Sequence, residues 1–178
     1  MGRSRYTFYS DQTGPYYLTC TVIKWIALFG IPEIAQILIE SLQFLIKNNR
    51  IILHGFVIME HHLHLVASGK FLSKEIGIFK SYTAREIIDY LNQNDYKEIL
   101  KLLKFFKKQH KRLQDYQVWE EGSHPQLIHD SRMLNQKLDY IHYNPVRSGF
   151  IDDQLHWRYS SYRHYEGMEC LLPITVLD

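Results

Sequence analysis

Two histidines one residue apart, in Met59-Glu60-His61-His62-Leu63-His64-Leu65-Val66, are the first feature of this sequence that could do chemistry. Side chains alternate between the faces of a β-strand, so His62 and His64 point one way while Leu63 and Leu65 point into a core. Two imidazoles on one face can hold one divalent metal ion. The pair can also arise by chance in a chain with ten His, and spacing alone leaves both readings open. A metallohydrolase (β/α)8 barrel needs about 200 residues or more, and the chain has 178. A cupin-like sandwich would need many strands and a nearby carboxylate, but Leu65-Val66-Ala67-Ser68-Gly69 follows His64.

The second feature is Lys137-Leu138-Asp139-Tyr140-Ile141-His142-Tyr143-Asn144-Pro145-Val146-Arg147. Tyr140 and Asn144 are four residues apart and share a helix face, with Lys137 close to it and His142 pointing elsewhere. Pro145 disfavours helix at the residue before it and is expected to stop the helix. Asn144 then sits in the last turn, where it can turn inward as an oxygen ligand. The alternative is that Tyr140 simply packs and Asn144 simply ends the helix.

These residues need elements to position them. Tyr16 to Ile23 is rich in aromatic and β-branched residues and reads as a strand. Pro32 suits the first turn of a helix, carried to about Asn48 by Ile34, Leu38, Leu42 and Leu45 at helical spacing. Ile51 to Met59 and His62 to Ala67 read as two strands of a tight hairpin. Ser73 is a candidate cap for a helix to about Asn92, with Ile76, Phe79, Ile87 and Leu91 on its apolar side. A basic helix is expected from about 96 to 113, with Leu102, Leu103, Phe105 and Phe106 on a buried side. Gln117 to Glu120 is a short strand candidate. Asp130 or Ser131 can cap the helix that carries Tyr140, with Leu134, Leu138 and Ile141 as its apolar stripe. Strands interleaved with helices give a single α+β domain over 1–178, with a mainly antiparallel sheet and helices packed on it.

Formal net charge is only +2, but seven Lys or Arg against one acid crowd the stretch from Lys97 to Arg112. Such a local patch is the form a phosphate-binding surface takes, and Lys104, Lys107, Lys108 and Lys111 are its expected contacts. Aromatic residues reach 14%, which suits stacking on bases and equally a Tyr-rich core. Two distant cysteines, Cys20 and Cys170, make neither a zinc site nor a disulfide framework. No signal peptide or membrane span is visible, so a cytoplasmic location is expected.

Taken together, the His-Leu-His strand behind an apolar strand ending in Met59 and the Tyr140-Ile141-x-x-Asn144-Pro145-Val146 helix resemble the HUH single-tyrosine transposases. Within these they are most similar to the REP-associated tyrosine transposases. The resemblance also takes in Arg5-Tyr6-Thr7-Phe8, Tyr16-Tyr17-Leu18-Thr19, Gly55-Phe56-Val57-Ile58-Met59, Phe79-Lys80-Ser81-Tyr82-Thr83, His124-Pro125 and Trp157-Arg158-Tyr159-Ser160-Ser161. It implies a ferredoxin-like (RRM-like) antiparallel sheet with packed helices. It implies Tyr140 as nucleophile, and His62, His64 and Asn144 as ligands to Mg²⁺ or Mn²⁺. The implied partner is single-stranded DNA with imperfect hairpins, bound by a monomer or homodimer, and Lys137, Arg3 and Arg5 are expected to add DNA contacts. Where relatives commonly have Pro-Asn or Pro-Glu before the first metal histidine, this chain has Glu60-His61. His61 should face away from the metal if the strand is regular there, and compete for it if the register slips.

A tyrosine nucleophile implies a covalent intermediate. Its phosphotyrosine ester keeps the bond energy, so a free 3′-hydroxyl can rejoin strands without ATP. Three other functions compete. One is a domesticated hairpin-binding protein that no longer cuts, and another a water-using nuclease. The third is a relaxase or replication initiator, whose tyrosine lies near the N-terminus as Tyr6, Tyr9, Tyr16 and Tyr17 do here. The pairing of Tyr140 with Asn144 favours the helix tyrosine.

Overall fold

The computed structural model describes Phe8 and residues 14–177. Four strands are found there: β1 (Tyr16–Thr21), β2 (Ile52–Ile58), β3 (His62–Ser68) and β4 (Gln126–Leu127). They form one antiparallel sheet in the order β2-β3-β1-β4. Helix α1 (Pro32–Lys47) joins β1 to β2, and α2 (Leu72–Gln93) and α3 (Lys97–Phe105) lie between β3 and β4. This is the ferredoxin-like β-α-β-β-α-β order, and the α+β expectation holds.

Alternation along the strands divides the sheet into two faces. Leu18, Cys20, Leu63, Leu65, Phe56 and Ile58 join Leu38, Leu42, Phe79 and Leu103 in the main core. Tyr17, Val57, Met59 and Val66 face the other way, onto Leu134, Leu138 and Ile141 of α4 (Ser131–Arg147). The reactive groups expected from the sequence sit on this second face.

Four local expectations need correction. Ser73 lies inside α2, whose cap is Phe71 with no side-chain cap bond. The basic helix ends at Phe105: the amide of Lys108 donates to Gln117 Oε1 at 3.0 Å, and the chain runs on in turns. Its buried side is Leu100 and Leu103, while Phe105 is 80% exposed. Gln117 to Glu120 makes only an isolated bridge, Val22 to Trp119, and the fourth strand is Gln126–Leu127.

Lastly, Pro145 does not stop α4, which runs on to Arg147. The amide of Phe150 donates to Pro145 O at 3.0 Å and that of Gly149 to Val146 O at 2.9 Å. Gly149 has φ 76°, so the helix ends in a Schellman turn set by a glycine four residues after the proline. At the other end Asp130 caps as expected, accepting from the Met133 amide at 2.7 Å.

Candidate functional site

Strand β3 is central, and its regular register sets Thr21 opposite His62 and Thr19 opposite His64. Both histidines therefore share the α4 face of the sheet with Tyr17 and Thr19. Their rings lie 4.6 Å apart between centroids. His64 Nδ1 is 2.9 Å from Tyr17 Oη and 2.9 Å from Thr19 Oγ1. The Tyr17 ring stacks on the His64 ring at 5.4 Å, and Thr19 Oγ1 donates to Tyr17 Oη at 3.3 Å.

Burial pushes the His64 pKa down to about 3, with the neighbouring His62 adding to the effect. The His62 pKa is pushed down to about 4 by burial and then by His61. Both rings are thus neutral at physiological pH, the form in which imidazole offers a lone pair to a metal.

Helix α4 brings Tyr140 to the pair. Its phenol is 43% exposed, with its ring edge-on to His64 at 5.6 Å and to Tyr17 at 6.3 Å. Lys137 Nζ lies 4.7 Å from the centre of the Tyr17 ring, and desolvation lowers its pKa. Asn144 is buried one turn beyond Tyr140, with its Oδ1 accepting from Ser148 Oγ at 3.5 Å. His142 points away from this group, as expected, with its Nε2 2.7 Å from Ser161 Oγ.

Gly55 lets α4 come this close. A Cβ there would lie 2.5 Å from Leu138 Cδ2 and 3.2 Å from Ile141 Cδ1.

His61 departs from expectation. Strand pairing begins at His62, so alternation does not hold His61 on the opposite face. It lies in the turn before β3 and bends back, its Nδ1 2.8 Å from His62 Nδ1. There is no slipped register. The exposed ring of Trp25 packs edge-on to His61 at 4.9 Å and to His62 at 6.2 Å.

The basic stretch is not part of this group. Leu100 and Leu103 pack into the main core, across the sheet from α4. Its charges are also partly answered locally. Lys108 Nζ lies 3.3 Å from Glu120 and 3.2 Å from Glu121, and Lys111 Nζ 3.9 Å from Glu121. Lys107 Nζ donates to Lys111 O at 2.9 Å, and Lys104 is exposed. Arg3 and Arg5 lie outside the described residues.

Among the described residues, no three His, Cys, Asp or Glu side chains are grouped to hold a metal ion. The two imidazoles of His62 and His64 are the donors the fold brings together, and the Asn144 carboxamide as a third is what the resemblance implies. Two buried neutral imidazoles 4.6 Å apart suit a borderline divalent ion such as Mn²⁺. The paired imidazoles fit the implied metal.

Sequence reasoning named Tyr17 and Thr19 but not as partners of His64, and it missed Trp25. The first two alternate on β1, but only the pairing register shows that they meet His64.

No protein-family model matches the chain. A Haemophilus influenzae protein named as a REP-associated tyrosine transposase is 32% identical over 75 residues, 42% of this chain and 43% of that protein. The match thus spans less than half of the relative's length. Among solved structures, a REP-associated tyrosine transposase bound to a REP hairpin aligns with a TM-score of 0.59 and 16% identity, covering 99% of this chain and 94% of the other. A transposase-named structure from Deinococcus radiodurans aligns with a TM-score of 0.47 and 17% identity, covering 79% of this chain and 95% of the other. At that identity the hairpin-bound structure speaks to the fold, and the curated relative to part of the sequence. The family read from the His-Leu-His strand and the Tyr140 helix is thus the one this chain is similar to, in sequence over part of its length and in fold over nearly all of it: the REP-associated tyrosine transposases.

Proposed function

We propose that this protein is a tyrosine transposase that cleaves and rejoins single-stranded hairpin DNA, with Tyr140 as nucleophile and His62, His64 and Asn144 holding Mg²⁺ or Mn²⁺. The observation that carries this reading is a half-exposed phenol 5.6 Å, ring to ring, from a buried neutral imidazole that has a second beside it. A water-using nuclease has no need of a tyrosine at that place.

The Tyr140 oxygen attacks the scissile phosphorus as the P–O3′ bond breaks. The phenol proton passes to solvent and the departing 3′-oxygen takes one up. The 5′-phosphate stays esterified to Tyr140 until a 3′-hydroxyl attacks and reverses the exchange. A divalent ion bound there supplies Lewis-acid neutralisation of charge on the non-bridging oxygens. Tyr17 and Thr19 hold His64 in orientation, and Lys137 sets a cation above Tyr17 where the phosphate approaches. Exposed Lys104 and its neighbours add non-specific attraction for the strand.

The test uses a labelled single-stranded hairpin oligonucleotide with Mg²⁺ or Mn²⁺. Cleavage should need the ion and stop in His62→Ala with His64→Ala while circular dichroism is kept. Wild-type rates in the double variant, or in EDTA, would refute the metal assignment. Tight binding with no cleavage of any hairpin would instead favour the hairpin-binding protein.

A further inference from the structure

Trp25 has no role in the chemistry above, yet it stands at the edge of the site. The largest apolar side chain in the sequence repertoire is here 65% exposed, and it lies on a stretch that pays for its position in backbone conformation. Lys24 has φ 52° and Trp25 has φ 59°. Two successive residues other than glycine in the left-handed region are unfavourable, and a bulky Trp is among the least suited to it. Such strain persists where the surroundings hold it, and it collects at functional sites.

The surroundings are visible. The Trp25 amide donates to Val22 O at 3.0 Å, the Ile23 amide to Val118 O at 2.8 Å and the Phe29 amide to Glu60 O at 2.8 Å. The turn is thereby tied both to the strand end and to the loop that leads into His61 and His62. Trp25 is supported edge-on by His61 at 4.9 Å and His62 at 6.2 Å. Aromatic rings then continue from His62 to His64 and from His64 to Tyr140. The exposed indole thus stands beside the histidines, with Tyr140 at the other end of the row.

We infer that Trp25 is a stacking platform for an unpaired nucleobase of the DNA strand, on the far side of the histidines from Tyr140. This rests on the proposed function, since it takes the strand to pass the histidines. An indole ring fits an unstacked base because every base has an apolar π-face, so the site takes single-stranded DNA with little preference for sequence. Support from the His61 edge fixes the ring without covering it. Holding a base there would fix the register of the strand as it passes the histidines toward Tyr140.

The experiment measures affinity by anisotropy in Ca²⁺ or EDTA, so that no strand is cut. It uses hairpin oligonucleotides with a single-stranded flank, together with versions carrying one abasic nucleotide at each flank position in turn. The wild type should lose about 5- to 100-fold in affinity at one abasic position. Trp25→Ala should bind the intact strand weaker by a similar factor and be indifferent to that abasic position, while Trp25→Phe keeps part of the effect. Folding is checked by the urea midpoint, and quenching of Trp25 emission against a Trp25→Phe control reports stacking directly. Undiminished binding by a folded Trp25→Ala overturns the platform and leaves the proposed function standing. No binding of any hairpin strand by the wild type overturns the proposed function and the platform with it. A dimer that dissociates on Trp25→Ala, with DNA affinity per chain unchanged, would assign the indole to a second copy instead and overturn the platform.

Discussion

Thr19 Oγ1 on β1 lies 2.9 Å from Nδ1 of His64 on β3, directly across the pairing between the two strands. A hydroxyl against one ring nitrogen holds how the ring is turned, and it can accept the Nδ1 hydrogen when Nε2 faces a metal. Tyr17 Oη reaches the same nitrogen at 2.9 Å, so the two hydroxyls share this task.

Removing one hydroxyl without removing volume should therefore weaken the metal site. Thr19→Val with Tyr17→Phe should lower Mn²⁺ affinity, measured by calorimetry on the DNA-free protein, by about 10- to 100-fold. The single variants should lie between. Unchanged affinity in the double variant would show that the hydroxyls do not orient a metal ligand.

Gly55 sets the distance between the sheet and α4. A Cβ there would meet Leu138 Cδ2 at 2.5 Å, inside a packed cluster. Overpacking costs about 1–3 kcal/mol, more than the roughly 0.4–1 kcal/mol that Ala in place of Gly returns through the unfolded chain. Gly55→Ala should lower the urea midpoint, and it should slow cleavage further by shifting Tyr140 from His64. Equal or greater stability with full activity would contradict this account of the close approach.

His142 carries a pH dependence. Its contact with Ser161 and the Ser161 bonds to the Phe56 backbone are satisfied together by a neutral ring with hydrogen on Nε2. Burial lowers its pKa to about 4 from the ordinary 6.5. The unfolded chain then binds more protons between those values, so the stabilisation is complete above pH 6.5 and falls as pH drops toward 4. Urea unfolding at steps across that window should show His142→Gln with a shallower loss than the wild type. Parallel curves would remove His142 as a contributor.

Exposed and partly exposed lysines of the basic stretch should govern salt dependence. Each phosphate contact contributes roughly −0.7 to the log–log slope for single strands. Lys108 and Lys111 face Glu121, so replacing Lys104, Lys107, Lys108 and Lys111 by Gln should flatten the slope by about one to two units. An unchanged slope would place DNA contacts elsewhere.

Much of this was legible in the sequence because it depends on local periodicity. Alternation put His62 and His64 on one face, and the four-residue spacing put Tyr140 and Asn144 on one side of a helix. What failed depends on distant partners or competing local signals. Gly149 ends α4 after Pro145 has been passed, and the Gln117 side chain takes the amide of Lys108 beyond the end of α3. The contacts of Tyr17 and Thr19 with His64 depend on strand register across more than forty residues, which no local pattern carries.

The central claim is that Tyr140 attacks DNA. Single-stranded hairpin DNA, incubated with the protein and Mg²⁺ or Mn²⁺ and then denatured, should leave a covalent protein–DNA adduct that peptide mapping places on Tyr140. Tyr140→Phe removes one oxygen from a half-exposed ring, so folding and binding should persist while the adduct disappears. Tyr143 is the nearest rival, three residues along the same helix and also exposed. An adduct that survives Tyr140→Phe and vanishes in Tyr143→Phe would contradict the assignment.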